Sequence, residues 1–225
     1  MENEIIWVNA RNFLNEKRLD LIIELNYISK YMSIRNDMML NQTDCERLTE
    51  AMMTTTEYKD YKARVDAFTR GTYWEESGSD IKKSMRDYIS AFHRLIENME
   101  VNGFTEPELN WVPVGYDDVL CDGSHRVATA IYFNYDIPIV RLQRHGVVMD
   151  VEYMKSRYMD TEVIDRAVIG FEEWTGKSID YSYSSCSCLS KRVRWVIRHI
   201  DRLVYAIYIR FVIFFNRMFS LQKDE

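Results

Sequence analysis

Residues 119–128 read VLCDGSHRVA, and this run constrains the fold more than any other part of the chain. It predicts an apolar strand that ends in a tight glycine turn, followed at once by a helix that begins with polar residues. A helix N-terminus carries a partial positive charge and N–H groups without partners inside the helix, so it suits an anion. Arg126 adds a planar guanidinium whose geometry matches a phosphate group. The run therefore predicts a phosphate-binding loop, and a nucleotide is the ligand that we expect there.

The same residues carry a family resemblance. Asp-Gly-Ser-His-Arg at positions 122–126, followed by Val-Ala-Thr-Ala, resembles the Asp-Gly-x-His-Arg signature of the ParB/sulfiredoxin-like superfamily. The matching region covers residues 73–142, under a third of the chain. The resemblance implies a small α/β core whose His-Arg loop holds nucleotide phosphates. Members of the superfamily include chromosome-partition proteins that bind CTP, sulfiredoxins that use ATP, and a free-serine kinase.

Each residue of the loop has a functional interpretation and a plainer one. Asp122 is a metal ligand or a base near the transferred phosphoryl group, or a turn residue before Gly123. Ser124 caps the helix, donates to a phosphate oxygen, or does both. His125 either packs against the helix or donates to a phosphate, which would favour its charged form. Arg126 has the strongest case for phosphate, because a guanidinium is costly to bury without an anion.

Two sites outside the loop are further candidates. Kinase-type members of the superfamily have an acidic residue before the helix that precedes the loop, and Glu75 or Glu76 stands in that place. The usual Pro-Glu or Thr-Glu context is absent. A carboxylate there could accept or orient the proton of an acceptor hydroxyl, or could simply be solvated near a helix N-terminus. Arg70 is a candidate second phosphate contact.

The chain is predicted to be an α+β protein that is rich in helix. Its small mixed sheet would form a ParB/sulfiredoxin-like core with added N-terminal helices and a C-terminal amphipathic helix. Helices are predicted at 9–33, 43–53, 79–99, 124–134, 151–158 and 161–174, with strands at 111–114, 119–121 and 137–143. The polar residues 54–62 would separate two helices. The predicted regions are an N-terminal helical region (1–68), the nucleotide-binding core (69–145), a helical extension and linker (146–188), and a basic amphipathic helix (189–225).

Charge divides the chain into two parts. Residues 189–225 contain 8 Lys or Arg and 3 Asp or Glu, a net charge of +5, whereas residues 1–188 carry −11. An acidic body is a poor partner for DNA, and no helix-turn-helix pattern follows the loop, so we expect no DNA binding or nuclease activity. The densest apolar run, residues 203–215, is too short to span a membrane. Residues 189–219 instead predict a helix at an anionic membrane surface; the alternative is a packing helix or a homodimer contact.

The compartment follows from the cysteines and the N-terminus. Cys45, Cys121, Cys186 and Cys188 show no zinc or disulfide spacing, and no signal peptide is visible. We expect a cytoplasmic protein, peripheral on the inner face of the membrane if the C-terminal helix binds lipid. In sulfiredoxins the reactive cysteine lies inside the loop, where this chain has Ser124, so that activity is disfavoured.

These observations favour ATP-dependent phosphotransfer to a hydroxyl of a small molecule or glycan. The acceptor would be lipid-linked if residues 189–219 lie on the membrane. Gly123, Ser124, His125 and Arg126 would bind ATP, Asp122 would hold Mg²⁺, and Glu75 or Glu76 would face the acceptor. The alternative is a nucleotide-binding regulatory or interaction module without turnover.

Overall fold

The structure of the chain is a computed structural model, and it describes residues 4–38, 45–70, 82, 84–105, 107–179 and 200. Several sequence predictions lie outside these residues. They are the carboxylates Glu75 and Glu76, the predicted helix cap at Thr43, and all of the basic amphipathic segment except Ile200.

A three-stranded mixed sheet lies at the base of the loop. Its strands are β1 (Ile5–Asn9), β2 (Val112–Gly115) and β3 (Asp136–Leu142), in the order β1-β3-β2. The central strand β3 is antiparallel to β1 and parallel to β2. Strands β2 and β3 confirm the predictions at 111–114 and 137–143. The strand predicted at 119–121 is wrong, because that stretch makes only an isolated bridge between Leu120 and Val114. Strand β1 was not predicted; it is a half-exposed edge strand whose short apolar run carries no clear alternation.

Helices make up most of the described chain. They are α1 (Leu19–Asp37), α2 (Cys45–Met53), α3 (Thr56–Thr69), α4 (Met85–Asn102), α5 (Pro107–Asn110), α6 (Ser124–Phe133), α7 (Val151–Ser156) and α8 (Thr161–Thr175), with a 3-10 helix at Ala10–Phe13. The predicted fold class, a helix-rich α+β protein with a small mixed sheet, is confirmed. Buried residues from all three of the regions predicted within 1–188 form one apolar cluster.

Helix α1 is the centre of this cluster and is buried on nearly all sides. It packs against α3, α6 and α8. At Gly170 of α8 a side chain would lie 2.7 Å from Ile22 Cγ2, so glycine permits the close approach of α8 to α1. The sequence predicted this helix over 9–33, but residues 10–13 form a separate 3-10 helix capped by Asn9, and α1 begins at Leu19. Two acidic residues of its first turns, Asp20 and Glu24, are fully buried.

Helix α3 occupies the stretch that the sequence analysis interpreted as a polar separator, and that interpretation was wrong for residues 56–62. Thr55 caps it by accepting the Tyr58 N–H at 3.1 Å. The sequence of α3 is rich in charged residues, yet one face of the helix is buried and includes Tyr61, Arg64 and Val65. The helix therefore places an aromatic ring and a guanidinium against α1.

Helix α4 begins at Met85, later than the predicted position 79. Ser84 and Asp87 form a reciprocal capping box at this start. The helix continues past the predicted end at 99 to Asn102 and is capped by Gly103, with φ of +66°, whose N–H donates to the carbonyl oxygen of Met99. Helices α7 and α8 confirm the predictions at 151–158 and 161–174 to within a few residues.

No helix in the described ranges is long and apolar enough to cross a membrane.

Candidate functional site

The loop that the sequence singled out is a tight turn that leads from Leu120 into α6. Gly123 adopts a left-handed conformation with φ of +83°, which favours glycine. A Cβ at this position would also lie 2.9 Å from Arg126 Nη2, because the guanidinium packs over the glycine. Gly123 precedes α6 without a side-chain cap, so the first N–H groups of α6 are left to the cleft in front of the loop.

Asp122 is exposed, and its Oδ1 accepts the N–H of Gly123 at 2.6 Å. This is the turn role that the sequence analysis gave as the plainer interpretation, and it leaves the second carboxylate oxygen without a described protein partner. Within the described ranges no group of three His, Cys, Asp or Glu side chains is arranged to hold a metal ion. Asp122 is the one carboxylate among residues 121–126 of this loop.

Ser124 is the first residue of α6, and the prediction that it caps the helix is not what the structure shows. Its side chain turns into the protein, where Oγ donates to Glu24 Oε1 at 3.0 Å and accepts from Arg64 Nη2 at 2.7 Å. Ser124 is therefore buried, and it ties the loop to α1 and α3. Both hydrogen bonds of its hydroxyl are therefore made inside the protein.

His125 is held by an aromatic neighbourhood. Its Nε2 lies 2.7 Å from the Tyr61 hydroxyl and its ring meets the ring of Phe92 edge-on at 4.5 Å. Desolvation, with a smaller contribution from the charge of Arg64, lowers the pKa of His125 well below its ordinary value. The imidazole is therefore neutral at pH 7, with one N–H to donate and one nitrogen to accept.

Arg126 extends along the loop. Its Nη1 donates to the carbonyl oxygens of Asn110 at 2.7 Å and Trp111 at 3.3 Å. Partial burial lowers its pKa, and the charge of Asp122 opposes this effect. No carboxylate in the described part of the chain forms an ion pair with it, so this guanidinium combines partial desolvation with incomplete charge compensation.

Beneath the loop lies a buried ionic cluster that the sequence analysis missed. Arg18 forms a bidentate pair with Asp20, at 2.8 and 2.6 Å, and also donates to the carbonyl of Leu120 at 3.1 Å. Arg64 Nη2 lies 2.8 Å from Glu24 Oε1 and 3.7 Å from Asp20 Oδ2. The cluster joins Leu120, just before the loop, to α1 and α3.

The pKa values of the two carboxyl groups in the cluster are shifted in opposite directions. Burial alone would raise the pKa of Asp20, but the charge and hydrogen bonds of Arg18 outweigh it and lower the pKa. Burial raises the pKa of Glu24 to about 7, although Arg64 opposes the change. Glu24 Oε2 and Arg64 Nε are buried without a hydrogen-bond partner. Near neutral pH, Glu24 is therefore only partly ionised, and its pair with Arg64 is only partly an ion pair.

A sequence signal for the cluster exists, because Asp20 and Glu24 are four residues apart in an otherwise apolar helical run. Buried acids need cations, and Arg18 immediately precedes the run. The partner Arg64 could not be found in this way, because α3 was not predicted as a buried helix.

A cleft of about 500 Å³ lies in front of the loop. Residues 121–126 line it, together with three further basic side chains, Arg18, Arg64 and Lys82. Its apolar lining comes from α3, α4 and the segment after β3: Val65, Phe68, Tyr88, Ala91, Leu95, Val147 and Met149.

Of the remaining candidates, Arg70 lies away from this cleft. Arg70 ends α3 in a left-handed conformation and lines a different cavity, with Lys59, Lys62 and Arg157. Glu75 and Glu76 lie outside the described residues. Cys121 is partly exposed and borders the cleft, with its Sγ 3.7 Å from the carbonyl oxygen of His145.

Comparison with protein-family models, with curated proteins and with solved structures found no match to this chain. The resemblance to the ParB/sulfiredoxin-like superfamily therefore stays a prediction from the loop residues and their flanking elements.

Proposed function

We propose that the chain binds the phosphates of ATP in the cleft at residues 122–126 and transfers a phosphoryl group to a hydroxyl of a small molecule or glycan. One observation carries the proposal. The N-terminus of α6 opens into a cleft that is also lined by four basic side chains, Arg18, Arg64, Lys82 and Arg126. Backbone N–H groups and guanidinium groups around one space are the arrangement that a polyphosphate needs.

The charge balance of the cleft supports an anionic ligand. Among the described residues, Asp20, Glu24 and Asp122 are the carboxylates beside its four cations, and the raised pKa of Glu24 leaves that group only partly ionised at pH 7. The described lining of the cleft therefore carries a net positive charge, although residues 1–188 are strongly acidic. This local reversal of sign concentrates phosphate ligands at the loop.

Mg²⁺ fits this cleft only in partnership with phosphate. Mg²⁺ in nucleotide sites is commonly held by one or two carboxylates and by the phosphates themselves, and Asp122 is placed to supply one carboxylate oxygen. When bound, the ion would neutralise charge between phosphate groups. The chain's residues would do the rest: Arg126 and Arg64 would bind phosphate oxygens, and neutral His125 could donate one N–H.

The residues that would bind the acceptor hydroxyl are proposed from the sequence alone. Glu75 or Glu76 would orient the hydroxyl or accept its proton. If residues 189–219 lie on an anionic membrane, the acceptor would be a lipid-linked glycan. Cosedimentation of the full chain with anionic and neutral vesicles tests that step, and equal recovery with both would contradict it.

A second function is favoured by one feature of the site. The described residues that line the cleft supply cations and a helix N-terminus but only one exposed carboxylate, Asp122. This set suffices for nucleotide binding without turnover. A regulatory or interaction module would bind nucleotide and release no ADP when hydroxyl acceptors are added.

Calorimetric titration of ATP, CTP and GTP with Mg²⁺ tests the proposal. We expect Arg126→Gln to weaken nucleotide binding about tenfold or more, because a charge-assisted hydrogen bond contributes roughly 1.5–3 kcal/mol. Glutamine is shorter and loses the hydrogen bond to the Asn110 carbonyl, so a circular dichroism spectrum of the variant is used to check that it stays folded. Arg47→Gln, on the exposed face of α2, is the matched control and should bind like wild type.

Absence of nucleotide binding by the folded wild type would contradict the proposal. Binding that Arg126→Gln retains in full would place the nucleotide elsewhere. Once binding is shown, acceptor-dependent ADP release separates the phosphotransferase from the module without turnover.

A further inference from the structure

The cleft has two chemically different sides. Its floor is the cationic loop, and its wall toward α3 is apolar. Phe68 is the most exposed large apolar residue of that lining, at 47%, and Val147 is exposed at 37%. Covering this ring and its apolar neighbours with a flat apolar ligand would remove their surface from water and stabilise the complex.

Arg64 connects the two sides. Its Nη2 contacts Ser124 at the start of α6, while its Cζ lies 5.8 Å from the centre of the Phe68 ring. Phe68 follows Arg64 by four residues, so both side chains stand on one face of α3. The exposed ring and a candidate phosphate contact are therefore neighbours, one helical turn apart.

We infer that the apolar wall binds the base of the nucleotide, with Phe68 as its stacking surface. The inference rests on the proposed function and deepens it. A nucleotide has the same two parts as the cleft, an anionic polyphosphate and a flat aromatic base. The volume of about 500 Å³ lies within the usual range for small-molecule sites. A flat ring accepts any base by its face, so the wall should strengthen nucleotide binding without strong selection among bases.

The test compares ATP with inorganic tripolyphosphate, each with Mg²⁺, by calorimetry. We expect Phe68→Ala to weaken ATP binding about tenfold, the effect of losing one base–aromatic stack, and to leave tripolyphosphate binding unchanged. Phe68→Tyr should bind ATP like wild type. Trp7→Ala removes another exposed aromatic side chain, on β1 and outside the cleft, and should change neither affinity.

The outcomes separate this inference from the proposed function. If wild type binds tripolyphosphate as tightly as ATP, or if Phe68→Ala leaves ATP binding intact, the base does not stack on Phe68 and the phosphate site stands. An equal loss of both ligands in Phe68→Ala would also overturn the stacking role. If neither ligand binds to folded wild type, the phosphate site itself is refuted.

Discussion

Glu24 gives the sharpest test of the buried cluster beneath the loop. The carboxyl is fully buried, its Oε2 has no hydrogen-bond partner, and Arg64 is its nearest cation at 2.8 Å. Two outcomes of this geometry are possible in principle: Arg64 could hold the carboxyl ionised, or burial could favour the protonated form. Burial raises the pKa to about 7, which favours the second outcome. We predict that Glu24→Gln stabilises the protein at alkaline pH.

The magnitude follows from the difference between the folded and unfolded carboxyl. The pKa is about 7 in the fold and 4.5 for an ordinary glutamate. Between these values the folded state holds a proton that the unfolded state has lost, so stability falls as pH rises and levels off above pH 7. At about 1.4 kcal/mol for each pH unit, the total loss is roughly 3 kcal/mol. Glutamine, which does not ionise, escapes this loss.

Urea denaturation at pH 5 and pH 8 measures the effect. At pH 5 Glu24 is protonated, and the free energies of unfolding of wild type and Glu24→Gln should agree within about 1 kcal/mol. At pH 8 the variant should be more stable by roughly 3 kcal/mol. Glu50→Gln, on the exposed face of α2, is the control, and its difference from wild type should be the same at both pH values. A variant that is less stable than wild type at pH 8 would show that Arg64 keeps Glu24 ionised and would refute the reasoning.

The remaining predictions concern two glycines. Gly123→Ala should lower the free energy of unfolding by about 1–3 kcal/mol in chemical denaturation, since alanine disfavours φ of +83° and its Cβ would meet the Arg126 guanidinium. The same variant should bind MgATP more weakly than wild type, and unchanged affinity would argue against the loop as the phosphate site. Gly170→Ala gains up to about 1 kcal/mol of helix propensity but places a methyl group 2.7 Å from buried Ile22. Because overpacking costs about 1–3 kcal/mol, we expect a net loss in thermal denaturation, and a more stable variant would show that α8 can shift away from α1.

The sequence predicted the elements around the loop well because their signals are local. The glycine turn at Gly123, the stop at Gly103 and the apolar runs of β2 and β3 each depend on a few adjacent residues. Helices α4, α6, α7 and α8 were found for the same reason. The fold class could therefore be predicted without the N-terminal strand.

The rest depends on contacts between distant residues. β1 becomes a strand because it pairs with β3, more than a hundred residues later in the chain. The buried face of α3 is masked in the sequence by its charged residues, and Arg64 becomes part of the site only where α3 meets α1 and Ser124. The spacing of Asp20 and Glu24 hints at a buried acidic pair, but the sequence does not say which cations accompany it.

The position of the phosphate ligand is tested most directly by ¹H–¹⁵N NMR of the full chain titrated with MgATP. We predict that the backbone amides of Ser124, His125 and Arg126 shift most strongly, since they begin α6 in front of the cleft. Amides of α8, such as Ile169, should stay in place. Saturable binding that leaves the 124–126 amides unmoved, or no shifts anywhere in folded protein, would show that this loop does not bind phosphate.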